Sequence, residues 1–153
     1  TMYRKLAIAA AAALFTTGAA VAQDYSLNPN FGSASLSSGF SPDPYNVNIT
    51  AGGSIDASRL GCAGNISNAP DFRLQYQAGG VLPLLISVAS SEDTTLVINM
   101  PDGSWMCDDD GGNGLNPSVY LSNPSSGQYD ILVGTFGGGY ANSMLSISEL
   151  SSN

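Results

Sequence analysis

The chain has 153 residues, of which four are Lys or Arg and twelve are Asp or Glu, giving a formal net charge of −8. This balance excludes nucleic acid and anionic membrane surfaces as partners, because both are held by neutralising phosphates with Lys and Arg. A cation is the counterpart that the charge favours. The sequence also contains no histidine, which excludes catalytic sites built on an imidazole base.

A secretory signal peptide is predicted over residues 1–22. Two basic residues open it, an apolar run follows over residues 6–15, and the small-x-small motif Ala20-Val21-Ala22 ends it. We expect a mature chain that begins at Gln23 and is secreted, to an extracellular or periplasmic location. No membrane insertion is expected after processing, because the apolar run is shorter than the roughly 20 residues that cross a bilayer. Without its two basic residues the chain keeps two against twelve acids, a formal charge of −10.

The remainder is predicted to be all-β. Runs with alternating or β-branched apolar residues, separated by Gly, Pro, Asn and Asp turns, are typical of short antiparallel strands. The predicted strands are Tyr45–Thr50, Phe72–Ala78, Pro83–Ala89, Thr94–Met100, Ser118–Ser122, Gln128–Phe136 and Ser143–Glu149. We therefore predict an antiparallel, jelly-roll-like β-sandwich of about seven to nine strands over residues 45–153. Residues 23–44 are predicted to form an N-terminal arm or an added edge strand.

The alternation also assigns faces to the strands. In Phe72–Tyr76 the apolar residues point one way, whereas Arg73 and Gln75 point the other, as expected of a half-buried strand. The other predicted core residues are Leu96, Ile98, Ile131, Val133, Leu145 and Ile147.

Two cysteines, Cys62 and Cys107, remain after processing. An even cysteine count in a small secreted domain normally means a bridge. We predict one disulfide between them.

Catalysis is not expected. The mature chain lacks both histidine and lysine, so the usual activated serine and cysteine nucleophiles cannot be built. Chemistry that uses two carboxylates, as in glycoside hydrolysis, is the one enzymatic alternative that the composition leaves open.

A calcium site is predicted in the glycine-bearing loop Cys107–Pro117. Ca²⁺ takes about six to eight oxygen ligands from carboxylates, amides, backbone and water. The loop offers Asp108, Asp109, Asp110, Asn113 and Asn116, and neighbouring turns add Asp93 and Asp102. The alternative interpretation is a solvated acidic turn with no bound ion.

Several aromatic residues could form a surface on which sugars stack or a partner binds, because their rings offer large rigid faces. They are Trp105, Tyr120, Tyr129, Phe136 and Tyr140. Packing in the core is the alternative role for each of them.

Several of these motifs together resemble the bacterial pre-peptidase C-terminal domain. The matching pieces are Asp71–Leu74, Asp93–Ile98, Pro101-Asp102-Gly103, Asp108-Asp109 and Ser126–Val133. The mature chain also resembles small alphaproteobacterial secreted proteins that are often described as peptidases by association. The resemblance implies a calcium-associated β-sandwich, and no peptidase activity, because that activity belongs to a separate catalytic domain. Where the family usually has a second acid, this sequence has Thr95.

Our first functional hypothesis is a non-catalytic, calcium-binding cell-surface or secreted β-sandwich that acts as a binding or adhesion module. The second is a structural subunit that self-assembles when its N-terminal arm adds a strand to a neighbour's sheet. The third is a small hydrolase that uses two carboxylates. The partners that remain open are calcium, other copies of the chain, and a surface glycan or protein.

Overall fold

The computed structural model describes residues 26–152. The predicted signal peptide and the cleavage point at Gln23 lie outside the described residues. The strands are β1 (Ser33–Ser37), β2 (Tyr45–Gly52), β3 (Ile55–Asp56), β4 (Asn65–Ile66), β5 (Phe72–Gln77), β6 (Leu84–Ser90), β7 (Thr94–Asn99), β8 (Trp105–Asp108), β9 (Ser118–Leu121), β10 (Gly127–Thr135) and β11 (Tyr140–Ser148). One 3₁₀ turn, Ala57–Leu60, joins β3 to β4. Within these residues no helix is long and apolar enough to cross a membrane.

The strands form two sheets. The smaller has four strands in the order β2-β11-β6-β9, all paired antiparallel. The larger has seven strands, and β10 is its centre, pairing antiparallel with β5, β7 and β4. Outside these, β8 pairs with β7, β3 pairs with β4, and β1 lies parallel to β5. The predicted all-β class and its two-sheet arrangement are confirmed.

The main core fills the space between the two sheets. Each strand contributes alternate residues to it, because successive side chains of a strand point to opposite faces. All nine core residues named from the sequence are buried: Phe72, Leu74, Tyr76, Leu96, Ile98, Ile131, Val133, Leu145 and Ile147. Each fully buried side chain of this size contributes about 1.5–3 kcal/mol to the free energy of unfolding. Burial of these residues is therefore a major source of the fold's stability.

A second, smaller core lies on the outer face of the larger sheet. Val97 and Leu132 point away from the main core and are covered by the segment 55–66, which inserts Ile66 against them. The Cys62–Cys107 disulfide fastens this segment to β8, which confirms the predicted bridge. Because both faces of β7 are covered, all six of its residues are buried.

The strand count is higher than the seven to nine expected. All seven predicted strands are present, and four more join them: β1, β3, β4 and β8. Two of the four are only two residues long, too short to show a period of two in the sequence.

The N-terminal arm contains β1, which continues the sheet of its own chain. It pairs with β5 over five residues, and backbone bonds from Arg73 to Gly32 and from Ser38 to Gln77 extend the ladder. Donation of this strand to a neighbouring copy would first have to break that pairing.

Candidate functional site

Three connections meet at one end of the sandwich, which we call the loop end. They are the β6–β7 turn with Asp93, the β8–β9 loop, and the β10–β11 hairpin turn. The Phe136 amide donates to the Asp93 carbonyl at 3.1 Å, and the Thr94 amide donates to the Leu115 carbonyl at 3.2 Å. The predicted acidic loop is therefore anchored beside Asp93.

Asp108 has a structural role in the β8–β9 loop. Its Oδ2 accepts hydrogen bonds from the backbone amides of Gly111, at 2.7 Å, and Ser118, at 2.9 Å. A Cβ on Gly111 would lie only 2.6 Å from this oxygen, so a larger residue there would displace the Asp108 carboxylate. One Asp108 oxygen thus closes the base of the loop.

The Asn116 side chain fastens the same loop to its neighbours. Its Oδ1 accepts from the Thr94 hydroxyl at 2.8 Å, and its Nδ2 donates to the carbonyls of Ser90 and Asn113 at 3.0 and 3.2 Å. Asn113 takes part through its backbone carbonyl, and the residue is exposed to solvent.

The carboxylates at the loop end are close enough to affect one another. The pKa of Asp110 is raised, first by partial desolvation and then by repulsion from Asp109, Asp93 and Asp108. The Oδ1 atom of Asp93 is buried and has no hydrogen-bond partner among the described residues. Over residues 26–152, however, no three Asp, Glu or Cys side chains are grouped so that they could hold a metal ion as they stand.

Asp102 lies apart from the other predicted ligands. It sits in the β7–β8 turn, whereas Asp93 and Asp108 lie near the opposite end of that strand pair, where Leu96 faces Asp108. Its Oδ1 accepts from the Ser104 amide at 2.9 Å and the Ser104 hydroxyl at 2.6 Å, and these bonds lower its pKa. Asp102 caps its own turn and cannot share an ion with the loop.

The five aromatic residues named from the sequence divide into two groups. Tyr129 is fully buried in the main core, and Trp105 is half-buried against the second core. Tyr120, Phe136 and Tyr140 are exposed by 61%, 55% and 75%. Of these three, Tyr140 adjoins a cavity large enough to hold part of a ligand.

That cavity belongs to an open groove, which we call the Phe31 groove. It consists of two adjoining cavities of about 450 and 350 Å³ that share Phe31 and Thr50. The first is lined by Phe31, Asn48, Ile49, Thr50, Ala89, Asn142 and Ser143. The second is lined by Asn30, Phe31, Thr50, Gly52, Gly53, Ser54, Ser67, Asn68, Asp71 and Tyr140. The lining is mainly uncharged: two aromatic rings, amides, hydroxyls and one carboxylate.

The carboxylate in the groove, that of Asp71, is almost completely buried, with 1% exposure. Its Oδ1 lies 3.2 Å from both Asn30 Nδ2 and the Ser67 hydroxyl, and its Oδ2 accepts from the Val133 amide at 2.7 Å. Burial raises its pKa to about 6, against the opposing effect of these hydrogen bonds. Asp71 therefore lies beneath the groove as part of its support.

Sequence reasoning did not identify this groove. Its polar groups come from the arm, from β2, from the connection between β4 and β5, and from β11. No local motif joins these segments, and only the fold brings them together.

Comparison with known proteins finds similarity only at the level of solved structures. No protein-family model matches the chain. No curated protein matches it either. Among solved structures, it is similar to the crystal structure of Aeromonas hydrophila PliG, a periplasmic lysozyme inhibitor of g-type lysozyme. The two are 14% identical, the match covers 76% of this chain and 96% of that chain, and the TM-score is 0.40. A TM-score this low assigns neither a family nor a function to the chain.

Proposed function

We propose that this chain is an exported, non-catalytic binding module, and that its Phe31 groove takes a neutral, polyhydroxylated ligand such as a segment of a surface glycan. The observation that carries the proposal is the lining of the groove. Phe31 and Tyr140 supply aromatic rings, and the surrounding hydrogen-bonding groups are almost all uncharged.

The lining also selects against other ligands. Among the described residues it contains no Arg or Lys, so these residues offer no cationic side chain to an anion. Its one carboxylate, Asp71, is engaged by the protein's own donors, so it is not free to hold a cation. Amides and hydroxyls both donate and accept, which suits the hydroxyls of a sugar, while aromatic rings pack against its apolar face.

The same lining argues against the hydrolase alternative at this groove. Glycosidases place two carboxyl groups on either side of the bond they cleave, about 5–9.5 Å apart. Within the part of the chain that the structure describes, the groove is lined by a single carboxylate, that of Asp71, which is buried beneath the surface. Binding without turnover is the activity that these residues support.

An array of neutral oligosaccharides, followed by calorimetry, tests the proposal. We expect one class of neutral glycan to bind, and Phe31→Ala and Tyr140→Ala each to weaken binding by at least tenfold. Tyr120→Ala and Phe136→Ala are the matched controls, because they remove exposed tyrosine and phenylalanine rings that line neither cavity. Equal losses in all four variants, or no glycan bound at all, would contradict the proposal.

A second proposal concerns calcium at the loop end, with Asp93, Asp109 and Asp110 as the side chains concerned. The observation that favours it is the buried Asp93 Oδ1, which has no partner among the described residues and lies near the Asp110 carboxylate. A bound ion would satisfy that oxygen and relieve the mutual repulsion. Backbone carbonyls and water would have to complete the shell, because no three carboxylates among residues 26–152 are arranged so that they could hold an ion by themselves. The resemblance to the pre-peptidase C-terminal domain stays a prediction alongside it.

A further inference from the structure

Asp71 connects the segments that form the second cavity of the Phe31 groove. Asn30 and Phe31 come from the arm, and Ser67 comes from the connection between β4 and β5. The Asp71 side chain lies at 3.2 Å from donors of Asn30 and Ser67, while its backbone carbonyl accepts from the Phe31 amide at 2.8 Å. Its other carboxylate oxygen accepts from Val133 on β10 at 2.7 Å. One side chain thus holds two parts of the groove lining against the sheet.

The partners of this carboxylate are all uncharged. The arm presents an amide, the β4–β5 connection a hydroxyl, and β10 a backbone amide. The nearest charged side chain along the strand, Arg73, forms an ion pair with Asp130 at 2.6 Å. Among residues 26–152, Tyr140 is the only other titratable side chain that lines this cavity. Burial is the main cause that raises the pKa of Asp71 to about 6, and the other causes, which lower it, are its hydrogen bonds to these uncharged groups.

Ionisation decides how strongly the carboxyl holds its donors. The ionised carboxylate accepts stronger hydrogen bonds than the neutral acid, because its charge assists them. Val133 donates to Oδ2, and Asn30 Nδ2 lies 3.2 Å from Oδ1. The Ser67 hydroxyl also lies 3.2 Å from Oδ1, but it donates to the Ala69 carbonyl at 2.6 Å and so stays in place in either state. Protonation therefore weakens the hold on the Asn30 side chain and, through it, on the arm.

We propose that Asp71 is the positioning residue of the Phe31 groove and that its ionisation makes ligand binding depend on pH. The ionised side chain holds the Asn30 side chain in place; the protonated one holds it more weakly and loosens the groove lining on the side of the arm. This inference rests on the proposed function for its ligand, but the loosening of the lining is a property of the free protein. The positioning role can therefore be tested separately from binding.

The first test is an NMR titration of the ligand-free protein between pH 4.5 and 8. We expect the Asn30 side-chain amide and the Val133 backbone amide to shift together with a midpoint near pH 6, and neither to do so in Asp71→Asn. The exposed Asp56 carboxylate, which caps the 3₁₀ turn through Ser58, supplies the control variant Asp56→Asn, in which the shifts should persist. If the chemical shifts of these two amides do not change with pH in this range, the positioning role is overturned.

The second test is calorimetry with maltohexaose and cellohexaose as probes. If only the ionised form binds, the binding-competent fraction at pH 5 is about one eleventh, so affinity should fall about tenfold between pH 7.5 and 5. In Asp71→Asn the affinity should no longer depend on pH. If the amide shifts follow pH as expected but neither probe binds at any pH, the positioning role of Asp71 stands and the proposed glycan ligand is contradicted. Binding that is independent of pH in the wild type would overturn the inference while supporting the glycan.

Discussion

The buried carboxyl of Asp71 should make the fold less stable as the pH rises. Burial raises the pKa of Asp71 from an ordinary 3.8 to about 6. Between these values the native state holds a proton that the unfolded chain has released, so the free energy of unfolding falls as the pH increases through this window. At about 1.4 kcal/mol per pH unit, the wild type should lose about 2.4 kcal/mol between pH 4 and pH 7.5 through this group, because the unfolded carboxyl is already partly ionised at pH 4.

Urea denaturation of the wild type and Asp71→Asn at pH 4, 5, 6 and 7.5 measures this contribution. Asparagine has its own cost, because its amide donor meets other donors, but that cost does not vary with pH. The stability of the wild type relative to Asp71→Asn should therefore fall by about 2.4 kcal/mol across the series. The control is Asp56→Asn, because hydrogen bonds from Ser58 lower the pKa of Asp56 and its contribution has the opposite sign. Parallel curves for the wild type and Asp71→Asn would refute the reasoning.

Three further predictions concern the bridge, the acidic loop and export. Replacing Cys62 and Cys107 with Ser should lower the free energy of unfolding by about 4 kcal/mol, because the bridge closes a loop with a sequence separation of 45. Urea denaturation measures this loss, and a much smaller change would contradict the bridge. Calcium at a hundredfold excess over its dissociation constant should stabilise the fold by about 2.7 kcal/mol. In thermal melts, the stabilisation by calcium should be weaker in Asp110→Asn and unchanged in Asp56→Asn. If neither calcium nor a chelator changes the melting temperature, the loop is a solvated acidic turn with no bound ion. Intact-mass measurement of the secreted protein should find a mature chain that begins at Gln23; recovery of the full-length chain in membranes would contradict export.

Most of the fold could be predicted from the sequence, because seven strands and the main core follow from alternating apolar residues. The second core could not be predicted. Val97 and Leu132 lie within continuous apolar runs, so nothing in the sequence separates them from residues of the main core. Their cover comes from β3 and β4, which are too short to show a pattern.

The candidate site was less predictable than the fold. The density of acids identified the β8–β9 loop, but Asp102 was grouped with it because proximity in sequence does not show which end of a hairpin a residue occupies. Phe31 and Tyr140 are separated by most of the chain, and no local pattern indicates that they line one cavity. Asp71 directly precedes a predicted strand, and nothing near it in the sequence shows that the fold buries it beneath that cavity.

The proposal that the Phe31 groove binds a neutral glycan is tested most directly by NMR at pH 7.5. The isotopically labelled mature protein is titrated with the neutral oligosaccharide that binds best. We expect the amide shifts to concentrate on the groove residues Phe31, Thr50 and Tyr140, with Tyr120 on β9 unaffected. Shifts concentrated on β9 or on the acidic loop, or no saturable shift at millimolar oligosaccharide, would contradict the assignment of the Phe31 groove as the binding site.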